Sequence, residues 1–141
     1  MSEPLVIIGN GMAAAKLCEE LCKRALGRYA VAVIGEEPQL AYNRVLLSSV
    51  LSGEAASDEI ALRPVRWWRD HGVTLQYGCA ASVIDPAART VTLADGRRLG
   101  FARLVLATGS YPFVPPVPGR DLPGCFVYRT LDDLDAISAS A

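Results

Sequence analysis

The sequence predicts an α/β fold: a parallel sheet raised on a strand–helix–strand unit, with an antiparallel β-meander inserted into it. Three observations predict this. Two short apolar runs, Leu5-Val6-Ile7-Ile8 and Ala30-Val31-Ala32-Val33-Ile34, flank an amphipathic stretch. The hydrophobic period then falls to that of strands between Val73 and Phe101, with turn residues between the runs. A last apolar run, Leu104-Val105-Leu106, ends in the small residues Ala107-Thr108-Gly109. Continuous rather than alternating apolar runs are what strands covered on both faces require.

The chain has 141 residues, of which 51% are hydrophobic, enough for one domain with a real core. A net charge of -1 gives no electrostatic case for binding nucleic acid or an anionic membrane. No apolar run approaches the roughly 18 residues of a membrane span. Glu3 and Pro4 precede the first short apolar run, which is not a secretory leader. The expected location is the cytoplasm. The four cysteines, Cys18, Cys22, Cys79 and Cys125, lack the spacing of a zinc site, a cluster or a Cys-x-x-Cys pair. Cys18 and Cys22 share one helical face and read as small buried hydrophobes.

In chain order, Leu5 to Ile8 is the first strand, three of its four residues β-branched. Gly9 opens a tight turn, Gly11 lets a ligand approach the backbone, and Ala14 lets the next helix sit close on the sheet. Gly9-Asn10-Gly11-Met12-Ala13-Ala14 is thus a G-x-G-x-x-A dinucleotide fingerprint, which aims the free N–H groups of a helix end at a pyrophosphate. Ala13 to Leu26 reads as that helix, with Leu17, Cys18, Leu21, Cys22 and Ala25 on one face and Gly27 at its end. Ala30 to Ile34 is the second strand. It ends at Gly35-Glu36, and Glu36, 22 residues after Ala14, lies close to where the motif places an acid for a ribose hydroxyl.

Pro38 stops strand continuation. Val45 to Leu51 is a short helix ending at Gly53, and Val65 to His71 is another, with Pro64 in its first turn and Gly72 as its stop. Val73 to Tyr77, Ala81 to Ile84, Thr90 to Leu93 and Arg98 to Phe101 read as strands, with a turn at Asp85 to Ala88 and a hairpin signal at Asp95-Gly96. Pro112, Pro115, Pro116 and Pro118 make a stiff, extended exit. Thr130 caps a final helix with Asp133 at its third position and Leu131, Leu134 and Ile137 on one side.

These features together resemble the N-terminal flavin-binding part of the pyridine-nucleotide–disulfide oxidoreductase superfamily, a Rossmann-like domain with a meander in the same place. Ala107-Thr108-Gly109 is similar to its second motif beside the flavin. Glu36-Glu37-Pro38, Ala41-Tyr42-Asn43-Arg44, Leu47-Ser48-Ser49, Ser110-Tyr111-Pro112 and Val127-Tyr128-Arg129-Thr130 resemble the FAD module of assimilatory NAD(P)H nitrite reductase large subunits. Rubredoxin and ferredoxin reductases are the nearest alternative. They usually carry a lysine after the Leu-Ser pair, where this chain has Ser49.

The resemblance implies FAD as cofactor and NAD(P)H as electron donor. It implies that Gly9, Gly11, Met12, Ala13 and Ala14 hold the pyrophosphate. Glu36, or failing it Glu37, takes the adenosine ribose. Arg44 and Ser48 approach the ribityl and pyrophosphate, Ala81 offers its backbone to the adenine, and Thr108 and Gly109 lie near the cofactor. It implies residues 1–118 as the FAD-binding domain and 119–141 as a linker and helix leading to an NAD(P)H-binding domain beyond Ala141. The implied function is passage of electrons from NAD(P)H through FAD to a siroheme or iron–sulfur module or a small redox protein. A homo-oligomer is left open. With no second G-x-G-x-x-G, the 141 residues alone are expected to be inactive, and a flavin-free, non-catalytic module is the alternative from another class. Arg44 to Leu51 carries no thiol, which argues against dithiol chemistry, and no residue stands out as acid, base, nucleophile or metal ligand.

The remaining candidates have plain readings. His71 suits a helix C-terminus, and Trp67 and Trp68 face different sides of their helix. Arg63, Arg66 and Arg69 form a solvated stripe, and Asp132, Asp133 and Asp135 suit a helix start.

Overall fold

The computed structural model describes all residues, Met1–Ala141. Two compact units emerge. The first comprises residues 1–42 and 62–109, the second residues 43–61 and 110–141.

The first unit is organised by β1 (Glu3–Ile8), whose Leu5, Val6, Ile7 and Ile8 are all buried. β1 lies inside a four-stranded parallel sheet with β2 (Tyr29–Ile34), β3 (Thr74–Gln76) and β7 (Arg103–Leu106), in the order β3-β2-β1-β7. Burial of both faces follows from alternation along β1. Leu5 and Ile7 pack with Val31 and Val33 against Ala14, Ala15 and Cys18 of α1 (Met12–Arg24) and against Trp68. Val6 and Ile8 pack with Ile34 against Val91 and Leu93 on the opposite face. Each such side chain contributes about 1.5–3 kcal/mol by leaving water.

Val91 and Leu93 belong to β5 (Thr90–Leu93), the middle strand of an antiparallel sheet with β4 (Ala81–Asp85) and β6 (Arg98–Gly100). The layers are therefore helix, parallel sheet and meander. The meander forms the crossover from β3 at one sheet edge to β7 beside β1. The run Val73–Tyr77, which its period groups with the meander strands, instead joins the parallel sheet: its central residues pair with β2, Ala32 opposite Thr74 and Ile34 opposite Gln76. The Asp95-Gly96 hairpin forms as expected, with the Gly96 N–H donating to the Leu93 carbonyl at 2.9 Å.

α1 ends two residues earlier than its periodicity suggests, at Arg24. Cys18 is fully buried on its sheet-facing side, and burial, with the nearby Cys22, pushes its thiol up to about 12. α3 (Val65–Asp70) buries Trp68 and leaves Trp67 half-exposed, stacked on His71 at 4.3 Å between ring centroids. The expected arginine stripe is broken. Arg63 precedes α3 and donates to Glu19 of α1 at 2.8 Å, with its guanidinium over the Trp67 ring.

In the second unit, Asn43 accepts from the Val45 N–H and starts a 3-10 turn (Arg44–Leu46) that leads into α2 (Leu47–Leu51). α4 (Leu131–Ser140) begins with a complete capping box. The Thr130 hydroxyl accepts from the Asp133 N–H, and the Asp133 carboxylate accepts from the Thr130 N–H. Leu131 and Leu134 are the buried positions of α4, as its spacing predicts. The proline-rich exit has no regular structure from Tyr111 to Val117 and then turns through Gly119 and Gly124, both with φ of +90°.

Candidate functional site

The register of the parallel sheet sets the site. Ile8 is opposite both Ile34 and Leu106, so β1, β2 and β7 end level with one another. The residues that follow them, Gly9-Asn10-Gly11, Gly35-Glu36-Glu37 and Ala107-Thr108-Gly109, therefore gather at one sheet edge. Such an edge, at the carboxyl ends of parallel strands, is where ligands meet this kind of sheet.

Gly9 and Gly11 have different reasons to be glycine. Gly9 has φ of +110°, and a Cβ there would lie 2.0 Å from the Ala107 carbonyl oxygen. Its N–H donates to the Ile34 carbonyl at 2.8 Å, and the Ala107 N–H donates to the Ile8 carbonyl at 2.8 Å. The turn is thus locked between the two flanking strands. Gly11, at φ of -97°, is the residue before α1, and a Cβ there would meet nothing within 4 Å. That open space is where a ligand can approach the backbone.

α1 presents an unsatisfied amino end to that space. No side chain caps it, and its first turn holds no acid. The leading N–H groups and the positive end of the helix dipole are left for an anion. Met12 and Ala13 are exposed there, whereas Ala14 is fully buried against the sheet, the close packing its size allows.

At the end of β2, Gly35 is tied down by its N–H to Gln76 at 2.7 Å and by its carbonyl, which accepts from the Cys79 N–H at 3.1 Å. Glu36 is exposed. Glu37 is half-buried and accepts from the Tyr42 hydroxyl at 2.5 Å, a bond that sequence reasoning missed because nothing in the spacing announces it. The Cys79 bond also carries the entrance of the meander to this edge, and Ala81 follows two residues later, paired with Leu93. Thr108 is exposed and Gly109 has φ of +67°.

Gly9 to Ala14, Glu36, Glu37, Ala81, Thr108 and Gly109 all lie in the first unit. Arg44 and Ser48 lie in the second, Arg44 in the 3-10 turn and Ser48, exposed, on α2. There the Arg44 Nη1 donates to the Arg129 carbonyl at 3.0 Å, and the Arg129 Nε donates to the Ser110 carbonyl at 2.6 Å.

Comparison with known proteins matches residues 3–141 to the family described as pyridine nucleotide-disulphide oxidoreductase. The chain belongs to that family. It is 45% identical over its whole length to the nitrite reductase NAD(P)H large subunit of Klebsiella oxytoca, of which it covers 15%. It is 41% identical, over 94% of its length, to the assimilatory nitrate reductase electron transfer subunit of Bacillus subtilis, covering 17% of that protein. Among solved structures, a ferredoxin reductase from Rhodopseudomonas palustris superposes with a TM-score of 0.89 at 28% identity, over 98% of this chain and 34% of that one. The NADH:rubredoxin oxidoreductase of Clostridium acetobutylicum does so with a TM-score of 0.84 at 26% identity, over 99% of this chain and 35% of that one. The 141 residues thus span a small fraction of these relatives. Their α/β architecture is the one seen here, and no helix of the chain is long and apolar enough to cross a membrane.

Proposed function

We propose that this chain is the FAD-binding portion of an NAD(P)H-dependent flavoprotein oxidoreductase of the nitrite reductase large-subunit type. The observation that carries the reading is the pairing of an open Gly11 with an uncapped, acid-free start of α1, at an edge where three parallel strands end level. The residues fit the cofactor. Gly9 shapes the turn, and the backbone of Gly11, Met12, Ala13 and Ala14 takes the pyrophosphate. Glu36, exposed just past the end of β2, takes the adenosine ribose, with half-buried Glu37 as the alternative. Ala81 borders the adenine, while Thr108 and Gly109 border the flavin side. Arg44 and Ser48 are assigned to the ribityl and pyrophosphate region on family resemblance.

FAD, when bound, supplies a hydride acceptor and a one-electron donor, and the protein supplies binding, orientation and electrostatics. In the intact protein, residues 1–118 form the flavin domain and 119–141 lead to an NAD(P)H-binding domain. Electrons leave to a siroheme or iron–sulfur module, as the similarity to nitrite reductases favours, or to a small redox protein. We place it in the cytoplasm, in keeping with four free cysteines. The reading is tested by adding FAD to the flavin-depleted protein and measuring uptake. Stoichiometric binding of FAD and none of FMN supports it; no uptake of FAD refutes it.

A further inference from the structure

Asn10 stands between the two glycines, and none of the roles above uses it. Its side chain lies directly on Gly35: a Cβ added to Gly35 would come within 2.8 Å of the Asn10 Cβ and 3.6 Å of its Nδ2. The carboxamide therefore sits beside the residue that precedes Glu36. Its Oδ1 is buried and has no hydrogen-bond partner. A buried acceptor without a donor costs stability, and Ala or Leu would avoid the cost.

A diphosphate cannot relieve it, because phosphate oxygens are themselves acceptors. The missing partner must donate; a nucleotide's donors are the adenine amino group and the sugar hydroxyls, and the sugar is the part placed beside the acid at the end of β2. We propose that Asn10 is a recognition residue for the ribose, accepting from one hydroxyl beside the one taken by Glu36. This rests on the nucleotide reading of the glycine turn. Oδ1 is closed off in the unloaded chain, so loading turns the carboxamide about its Cβ–Cγ bond, a soft torsion. Two acceptors then face the two hydroxyls of an unmodified ribose. A 2′-phosphorylated sugar loses one donor and adds charge against Glu36, so it is disfavoured.

The test uses Asn10→Leu and Asn10→Ala in the full chain, with ADP, 2′-deoxy-ADP and 3′-deoxy-ADP as calorimetric probes. The unloaded variants are expected to melt no lower than wild type, since an orphaned acceptor has been removed. Their ADP affinity is expected to fall roughly five- to tenfold, the range of one lost hydrogen bond. That loss should vanish with whichever deoxy analogue lacks the partner hydroxyl. Equal losses with all three nucleotides, or unchanged ADP affinity, would overturn the assignment. If wild type bound ADP normally, the nucleotide reading would survive that result; if wild type bound neither ADP nor FAD, both would fall.

Discussion

The two glycines of the phosphate turn make opposite predictions. At Gly9 an added methyl group would sit 2.0 Å from a backbone carbonyl at φ of +110°. Neither fault can be relieved without moving the end of β7. The strained backbone costs roughly 1–3 kcal/mol and the overpacking about as much again. Gly9→Ala should therefore lose roughly 2–6 kcal/mol, a large share of the 5–15 kcal/mol typical of a domain. At Gly11 the backbone suits any residue and the Cβ meets open space. Gly11→Val gives up a tolerated helix cap, costing about 1 kcal/mol, and regains part of that by stiffening the unfolded chain. Its melting temperature should move by no more than about 4 °C. Its side chain, however, fills the space assigned to the pyrophosphate, and FAD affinity should fall at least ~100-fold, equivalent to about 2.8 kcal/mol. Thermal unfolding by circular dichroism and calorimetric FAD titration read the two quantities separately. A Gly11→Val chain that melts like wild type and binds FAD equally well would show that the space is not the phosphate site. A Gly9→Ala chain of wild-type stability would refute the packing argument.

Other predictions follow from side-chain geometry. The Cys18 thiol keeps its proton up to about pH 12 when folded, against 9.0 when free, so its contribution is complete below pH 9 and is lost as pH rises toward 12. Denaturant melts at pH 7 to 11 should fall more steeply for wild type than for Cys18→Ala; parallel decline would contradict the burial argument. Arg63 holds the Glu19 carboxyl below the usual carboxylate range, which stabilises the fold above the free pKa and is lost as pH falls through the lowered one. Arg63→Ala should cost about 0.5–1 kcal/mol at pH 7 and almost nothing once Glu19 is protonated in acid, as measured by urea denaturation. Thr130→Ala removes one half of the α4 capping box and should cost about 1 kcal/mol, seen as faster amide exchange confined to the first turns of α4.

Much of this fold is legible in the sequence because its burial is two-sided. Leu5 to Ile8 are apolar without interruption, since α1 covers one set of alternate residues and the meander covers the other. Gly9, Gly27, Gly53, Gly72 and Gly96 all have positive φ, so the turns written in glycine are the turns observed. Harder to read was the partner of a short strand. Thr74–Gln76 is too brief to carry a pattern, and its place at the sheet edge is set by pairing with β2. The stripe of arginines failed because Arg63 answers a carboxylate 44 residues away, a contact no local spacing encodes. At the site, the glycine spacing and the terminal acid were visible. The engagement of Glu37 by Tyr42 and the orphaned oxygen of Asn10 were not, because both depend on where the chain folds back.

The most direct test is to purify the full-length protein, record its visible spectrum, release any cofactor by denaturation and identify it by mass. The account predicts flavin bands in the native protein and close to one FAD per chain. A colourless protein that takes up no added FAD, or one that releases FMN in its place, would contradict a site built to hold an adenosine diphosphate.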